Sequence, residues 1–188
     1  MRYIIIVCSC TLILSAILTL VCEVEFLYAL GFTTLAVVAI VALDGLVAGV
    51  ARMLPKKFAD REKKIFHVSA KEKSFYEKLK IRKWKDRMPD MSRVMADMVP
   101  KQLGKCPKSS DAWRLVQETC RAEIVHWGLC LCAPVIYFFW WNWIGVCLSC
   151  LTVLCNLPFV LIQRYNRPAL VRLAVRLELR EERKKCKC

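Results

Sequence analysis

The run Ile4–Val21, IIIVCSCTLILSAILTLV, carries no charge over eighteen residues, and Phe26–Val50, FLYALGFTTLAVVAIVALDGLVAGV, carries only Asp44. At about 1.5 Å of helical rise per residue, each run approaches or exceeds the ~30 Å hydrocarbon layer of a bilayer. Both therefore read as transmembrane helices, about 4–21 and 26–50, joined through Glu23 and Glu25. Arg52, Lys56 and Lys57 follow the second run, so the positive-inside rule places the acidic connector outside and both ends of the hairpin in the cytoplasm. Arg2 ahead of an apolar run also fits a cleaved leader. The run is long and no small-x-small site closes it, so the first span is expected to be retained. An unpaired carboxylate inside a span costs on the order of 3 kcal/mol, so Asp44 should meet a helix neighbour or the interface. Gly45 and Gly49 have the spacing of a close helix contact.

Working outward, the chain of 188 residues is 57% hydrophobic yet has Lys+Arg 30 against Asp+Glu 16, a net charge of +14. So much apolar surface excludes disorder, and runs of membrane-spanning length exclude an ordinary basic nucleic-acid-binding domain. Residues 52–121 hold twenty Lys/Arg and nine Asp/Glu with aromatic residues between them, among them Trp84 and Trp113. Tethered to spans at both ends, this segment is expected to lie along an anionic cytoplasmic leaflet rather than on nucleic acid. Pro55, Pro89, Pro100 and Pro107 divide it into short helices, Trp84 and Lys85 are expected to dock it onto the membrane, and Ser110-Asp111 is a plausible cap for the helix that follows.

A third span starts near His126 and reaches Trp143, with Trp140, Trp141 and Trp143 as an outer aromatic belt. Ile144–Ile162 returns to the cytoplasm, where Arg164 and Arg167 follow. In the tail, Leu170, Leu173 and Leu177 share one helical face opposite arginines, the pattern of a basic amphipathic helix lying in the interface. The expected architecture is an all-α integral membrane protein of about four transmembrane helices in two hairpins. Its divisions are hairpin 1 over 1–51, a basic cytoplasmic segment over 52–125, hairpin 2 over 126–162 and a basic tail over 163–188. The protein is thus multi-pass, with both termini cytoplasmic.

Of twelve cysteines, eight lie in or beside the spans and act as small hydrophobes. Cys147-x-x-Cys150 has no second pair at zinc spacing, so no metal site is expected. Cys186 and Cys188 either carry a lipid or form a plain reduced tail. His67 reads as a solvated surface residue. His126 stands three residues after Glu123 on one helical face, and a carboxylate beside an imidazole suits a general base. The competing reading is an interfacial histidine hydrated beside Trp127. Glu118 and Arg121, also three apart, and the cluster Gln163–Arg167 lie at the same cytoplasmic level. Together they offer cations for a phosphate or an oxyanion, although arginines after a span also serve topology alone.

Glu118-Thr-Cys-Arg-Ala-Glu-Ile-Val-His-Trp127, Asn156-Leu-Pro-Phe, Gln163-Arg-Tyr-Asn-Arg-Pro168 and the stretch Phe75–Asp90 resemble the glycosyl-4,4'-diaponeurosporenoate acyltransferase family. The resemblance covers most of residues 55–170. It implies a bacterial cell-membrane enzyme of staphyloxanthin-type carotenoid biosynthesis that esterifies a sugar hydroxyl of a glycosylated carotenoid or related glycolipid. The co-substrate would be acyl-CoA or another activated acyl donor, with no bound cofactor. On this reading His126 is the base and Glu123 orients it. Arg164, Asn166 and Arg167 hold donor phosphates or the oxyanion, while Arg121 and Glu118 fix helix ends or bind sugar hydroxyls. The alternatives are a lipid-modifying reductase or methyltransferase, which would need a nucleotide cofactor, and a non-enzymatic membrane scaffold.

Overall fold

A computed structural model describes residues 2–88, 107–139 and 143–185. Every regular element in them is helical: α1 (Arg2–Cys22), α2 (Phe26–Met53), α3 (Ala70–Lys78), α4 (Ile81–Trp84), α5 (Ser109–Cys132), α6 (Val135–Phe139) and α7 (Trp143–Lys185). Short 3-10 turns occupy Lys56–Ala59, Lys64–Phe66 and Lys85–Arg87. Two compact units divide the chain, Met1–Gly49 and Val50–Cys188.

In the first unit α1 ends where Glu23 takes a left-handed backbone (φ 53°), which a side chain adopts only at a cost of about 1–2 kcal/mol and which no helix can continue through. The two helices meet along small residues. Ala29, Thr33 and Ala36, spaced i, i+4, i+7 on α2, are buried together with Ser15 and Leu18 of α1. The Ser15 and Thr33 hydroxyls lie 2.5 Å apart, one donating to the other, and the proton left over goes to the acceptor's own helix, to the Thr11 or the Ala29 carbonyl. The Ser15 and Thr33 hydroxyls thus satisfy each other, which matters where no water competes, whereas the buried Thr19 hydroxyl one turn further along α1 has no partner among the described residues. The seam therefore lies at Ala29–Ala36 and not at Gly45 and Gly49, beside which the space is open. Asp44 is partly buried on α2, and no ion pair engages it among the described residues. Ile4, Leu20, Leu27 and Leu46 are among the exposed large side chains, an apolar surface suited to lipid.

The second unit is organised by α5 against α7. Ala112, Leu115, Val116, Thr119, Cys120 and Glu123 recur at helical spacing and form the buried stripe of α5. At the far end of the pair, Ala112 packs on Ala174 and Leu177, with Trp113 and Leu173 beside them. The tail is thus no separate interfacial helix. It continues α7 through Pro158 and Pro168, and its apolar face is covered by α5. Glu181 binds it further, accepting from the Ser109 N–H (2.8 Å) and hydroxyl (2.6 Å) at the N-terminus of α5. The helix starts one residue before the expected Ser110-Asp111 cap, and Asp111 accepts the Lys108 N–H instead.

Among the described residues, three helices are long and apolar enough to cross a membrane: Ile4–Cys22, Phe26–Met53 and Trp143–Lys185. The expected third span is interrupted, because α5 ends at Cys132 and turns through Ala133 and Pro134 before the five residues of α6. Proline lacks the N–H that would extend α5. At 43 residues α7 is about 65 Å long, twice the hydrocarbon layer, and its second half carries the charge. Trp140, Trp141, Pro89, Pro100, Cys186 and Cys188 fall outside the described residues.

Ala174 is fully buried where α7 crosses α5. Enlarging it by Ala174→Leu should cost about 1–3 kcal/mol, seen as a lower unfolding midpoint in detergent. The same change at exposed Val175 should leave the midpoint in place.

Candidate functional site

The polar centre of the second unit is a cluster of four charges from three segments. Glu123 of α5 is buried, with 2% of its side chain exposed, and accepts Arg164 Nη1 at 2.5 Å on one oxygen and Arg167 Nη2 at 2.6 Å on the other. Both arginines come from α7, three residues apart. Arg164 also donates to Glu72 of α3 (2.5 and 3.2 Å) and to the carbonyls of Ile65 and His67. Arg167, nearly as buried as Glu123, donates to the Thr119 hydroxyl (3.0 Å), the Thr119 carbonyl (3.1 Å) and the Phe66 carbonyl (2.9 Å), with Phe66 beneath its guanidinium. Two carboxylates against two guanidiniums sum to zero charge. That balance, with the carbonyls filling the remaining donors, is the condition under which buried ions are tolerated.

Glu72 is set by local structure before it meets Arg164. Ser69 caps α3, accepting the Glu72 N–H at 3.2 Å, while Glu72 accepts the Ser69 N–H at 3.4 Å, and Tyr76 one turn on donates its hydroxyl to the same carboxylate. Burial works to raise the Glu72 pKa, but Arg164, Tyr76 and the Ser69 N–H outweigh it and hold the carboxyl below its ordinary range. Burial, with the Glu72 charge, pushes the Tyr76 phenol up to about 12. Glu72 hydrogen bonds, opposed by burial and aided by Glu123, make the Arg164 guanidinium harder to deprotonate than a free one. Cys120 lies beside this cluster, fully buried, and burial pushes its thiol up, so it is a neutral packing residue rather than a nucleophile.

His126 stands one turn beyond Glu123 on α5 but is held by a different partner. Its Nδ1 lies 2.8 Å from Asn156 Oδ1 of α7, and its ring stacks on Phe159 at 4.8 Å between centroids. The Asn156 amide orientation is determined by its other end. Nδ2 donates to the Thr152 carbonyl at 2.9 Å, which can only accept, so Oδ1 faces the imidazole. An oxygen there requires the proton on Nδ1, and the neutral ring then carries its basic lone pair on Nε2.

The expected orientation of His126 by Glu123 is thereby replaced: both Glu123 oxygens serve arginines, and Asn156 sets the tautomer. Arg164 and Arg167 sit at the site but spend their donors on the protein. Glu118 and Arg121 pair with each other at 3.2 Å, partly exposed. Asn166 accepts from Lys85 Nζ at 2.8 Å, and Trp84 packs with Tyr76, Ile81 and Ile162. Trp84 and Lys85 therefore dock their segment onto α7. The residues missed from the sequence are Glu72 and Asn156. An asparagine inside the apolar run Leu148–Ile162 is a signal in itself, as is the capping-box spacing Ser69-x-x-Glu72. Among the described residues no three His, Cys, Asp or Glu side chains converge to hold a metal ion.

Fold and site together define a helical membrane protein with its polar machinery between two packed helices at one end of an apolar run. Residues 55–176 match the model of the glycosyl-4,4'-diaponeurosporenoate acyltransferase family, and the chain belongs to that family. The glycosyl-4,4'-diaponeurosporenoate acyltransferase of Staphylococcus aureus strain bovine RF122 / ET3-1 is 29% identical over 147 residues, 73% of this chain and 84% of that protein. Its counterpart in strain N315 is 28% identical over 141 residues with the same coverage. No solved structure matches the chain. The family region begins just after α2 and includes Glu72, Glu123, His126, Asn156, Arg164 and Arg167.

Replacing Glu123 by Gln leaves two buried guanidiniums undercompensated and should destabilise the fold by about 3–5 kcal/mol, read as lost abundance and a lowered unfolding midpoint. A carboxyl held below its ordinary pKa stabilises the fold above the ordinary range, about pH 4–5, and that contribution disappears as pH falls through the lower folded-state value. The unfolding midpoint of the native chain should therefore fall over this acid range more steeply than that of Glu72→Gln. Parallel curves would remove Glu72 from the account.

Proposed function

We propose that the protein transfers a fatty acyl group from an activated donor to a sugar hydroxyl of a glycosylated carotenoid or related membrane glycolipid, at the cytoplasmic face of a bacterial cell membrane. Membership of the family supports acyl transfer, and the observation that carries the chemistry is the His126–Asn156 pair. Nε2 of His126 takes the proton of the attacking hydroxyl as its oxygen bonds the acyl carbon. The tetrahedral intermediate then expels the donor's leaving group, and the imidazolium returns the proton to it. Asn156 keeps the other ring proton on Nδ1 through this cycle, so that Nε2 is the atom that accepts and returns the transferred proton, and the four-charge cluster holds α7 in register so that Asn156 reaches His126. Glu118 and Arg121, partly exposed on α5, are assigned to sugar hydroxyls. No bound cofactor enters the scheme.

The same reading places four passes in the anionic-leaflet membrane, with both termini cytoplasmic. The end of α5 and α6 together form the third pass, broken at Pro134, and Arg164 and Arg167 obey the positive-inside rule. Protease digestion of a tag at either end of the chain, in right-side-out vesicles, would contradict this topology.

In isolated membranes His126→Ala should lower acyl transfer by about 10²–10⁴-fold with the protein at normal abundance. Asn156→Leu should lower it while shifting its pH profile, since the ring loses its tautomer control. Near-native turnover by His126→Ala would overturn the base assignment.

A further inference from the structure

On the side of α7 turned toward α3 and α4 lies a cavity of about 450 Å³, within the ~300–1,000 Å³ range of small-molecule sites. Lys73, Arg82, Lys85, Arg164 and Arg172 line it, against the acids Glu77 and Asp86. Lys73 faces Glu77 at 4.0 Å, and Arg164 is occupied by Glu72 and Glu123. Lys85 is aimed into place by Asn166 and by the ring of Tyr165, 5.5 Å away. Arg82 and Arg172 have no ion-pair partner among the described residues. Three cations facing one open space, with one carboxylate near them, repel each other unless an anion joins them.

Position decides which anion. Phe159, Gln163 and Asn166 are spaced i, i+4, i+7 and so lie on one stripe of α7. Phe159 carries the His126 ring at one end of the stripe, and Asn166 lines the cavity at the other, about 10 Å along the helix. A ligand that serves both ends needs its anionic group separated from its acyl carbon by an extended arm. A phospholipid holds its ester carbonyls only a glycerol's length from its phosphate. A coenzyme A thioester places the pantetheine arm between them and carries three phosphate groups on its nucleotide.

We infer that this cavity binds the nucleotide phosphates of a coenzyme A thioester through Arg82, Lys85 and Arg172, with the arm laid along Phe159, Gln163 and Asn166 toward His126. The assignment rests on the acyl-transfer reading for its direction toward His126. The phosphate chemistry itself is shared with anionic lipid headgroups, and the test separates the two sources.

The full chain in phosphatidylcholine nanodiscs is titrated with coenzyme A, alongside the double variant Arg82→Gln/Arg172→Gln, whose two sites are exposed and whose helicity is compared by circular dichroism. The variant should bind coenzyme A at least about tenfold more weakly and show a matching rise in KM for acyl-CoA with kcat little changed, the mark of binding lost equally from ground and transition states. His126→Ala should bind coenzyme A as the native chain does. Unchanged affinity and KM in the double variant would overturn the site while leaving acyl transfer standing. Displacement of coenzyme A by nanodiscs containing phosphatidylglycerol would overturn it in favour of a lipid headgroup. Binding that depends on Arg82 and Arg172 without any ester formed from acyl-CoA would keep the phosphate site and remove the acyl-transfer reading.

Discussion

The bifurcated grip of Arg164 and Arg167 on Glu123 is the interaction on which the second unit depends. A single carboxylate buried between two helices would be intolerable. Two guanidiniums alone would overcharge it, and Glu72 supplies the fourth charge that balances the set. Because each arginine also holds the carbonyls of residues 65–67, the cluster ties α5, α7, α3 and the turn between Lys64 and Phe66 at one point. Guanidinium suits this work better than ammonium, since its planar fork meets carboxylate and carbonyl oxygens at once.

The register set there is transmitted along α7. Two turns toward the apolar end, Asn156 meets His126, and Asn156 can present only its oxygen because its nitrogen is spent on Thr152. A structural cluster of charges and a chemically distinct imidazole thus occupy neighbouring turns of the same helix pair. The charges are matched by each other, whereas Nδ1 of the imidazole meets a neutral amide. Pro158 and Pro168 interrupt the hydrogen-bond ladder of α7 on either side of this region, and the packing against α5 carries the helix through both.

Much of the fold was legible because it depends on properties each segment carries alone. Apolar length marks a helix able to cross a bilayer, and the motifs around Glu118–Trp127 and Gln163–Pro168 carry the family resemblance before any coordinates. The errors share one cause. Glu123 and His126 are three residues apart, and spacing within a helix suggests a pair, but spacing cannot see Arg164 arriving from another helix with a full charge. Leu173 and Leu177 form the same stripe whether a membrane or α5 covers it. Pro134 within an apolar run is compatible with a kinked span or with the end of a helix, and neighbouring contacts decide between them.

By itself the sequence determined the helical class, the apolar runs, the excess of basic charge between and after them, and the family, since these follow from composition and short-range order. Only the tertiary structure decided which carboxylate meets which arginine, which atom of His126 carries its proton, and where Arg82, Lys85 and Arg172 gather. Those outcomes rest on contacts between residues tens of positions apart, whose energies exist only once burial has removed the competing water.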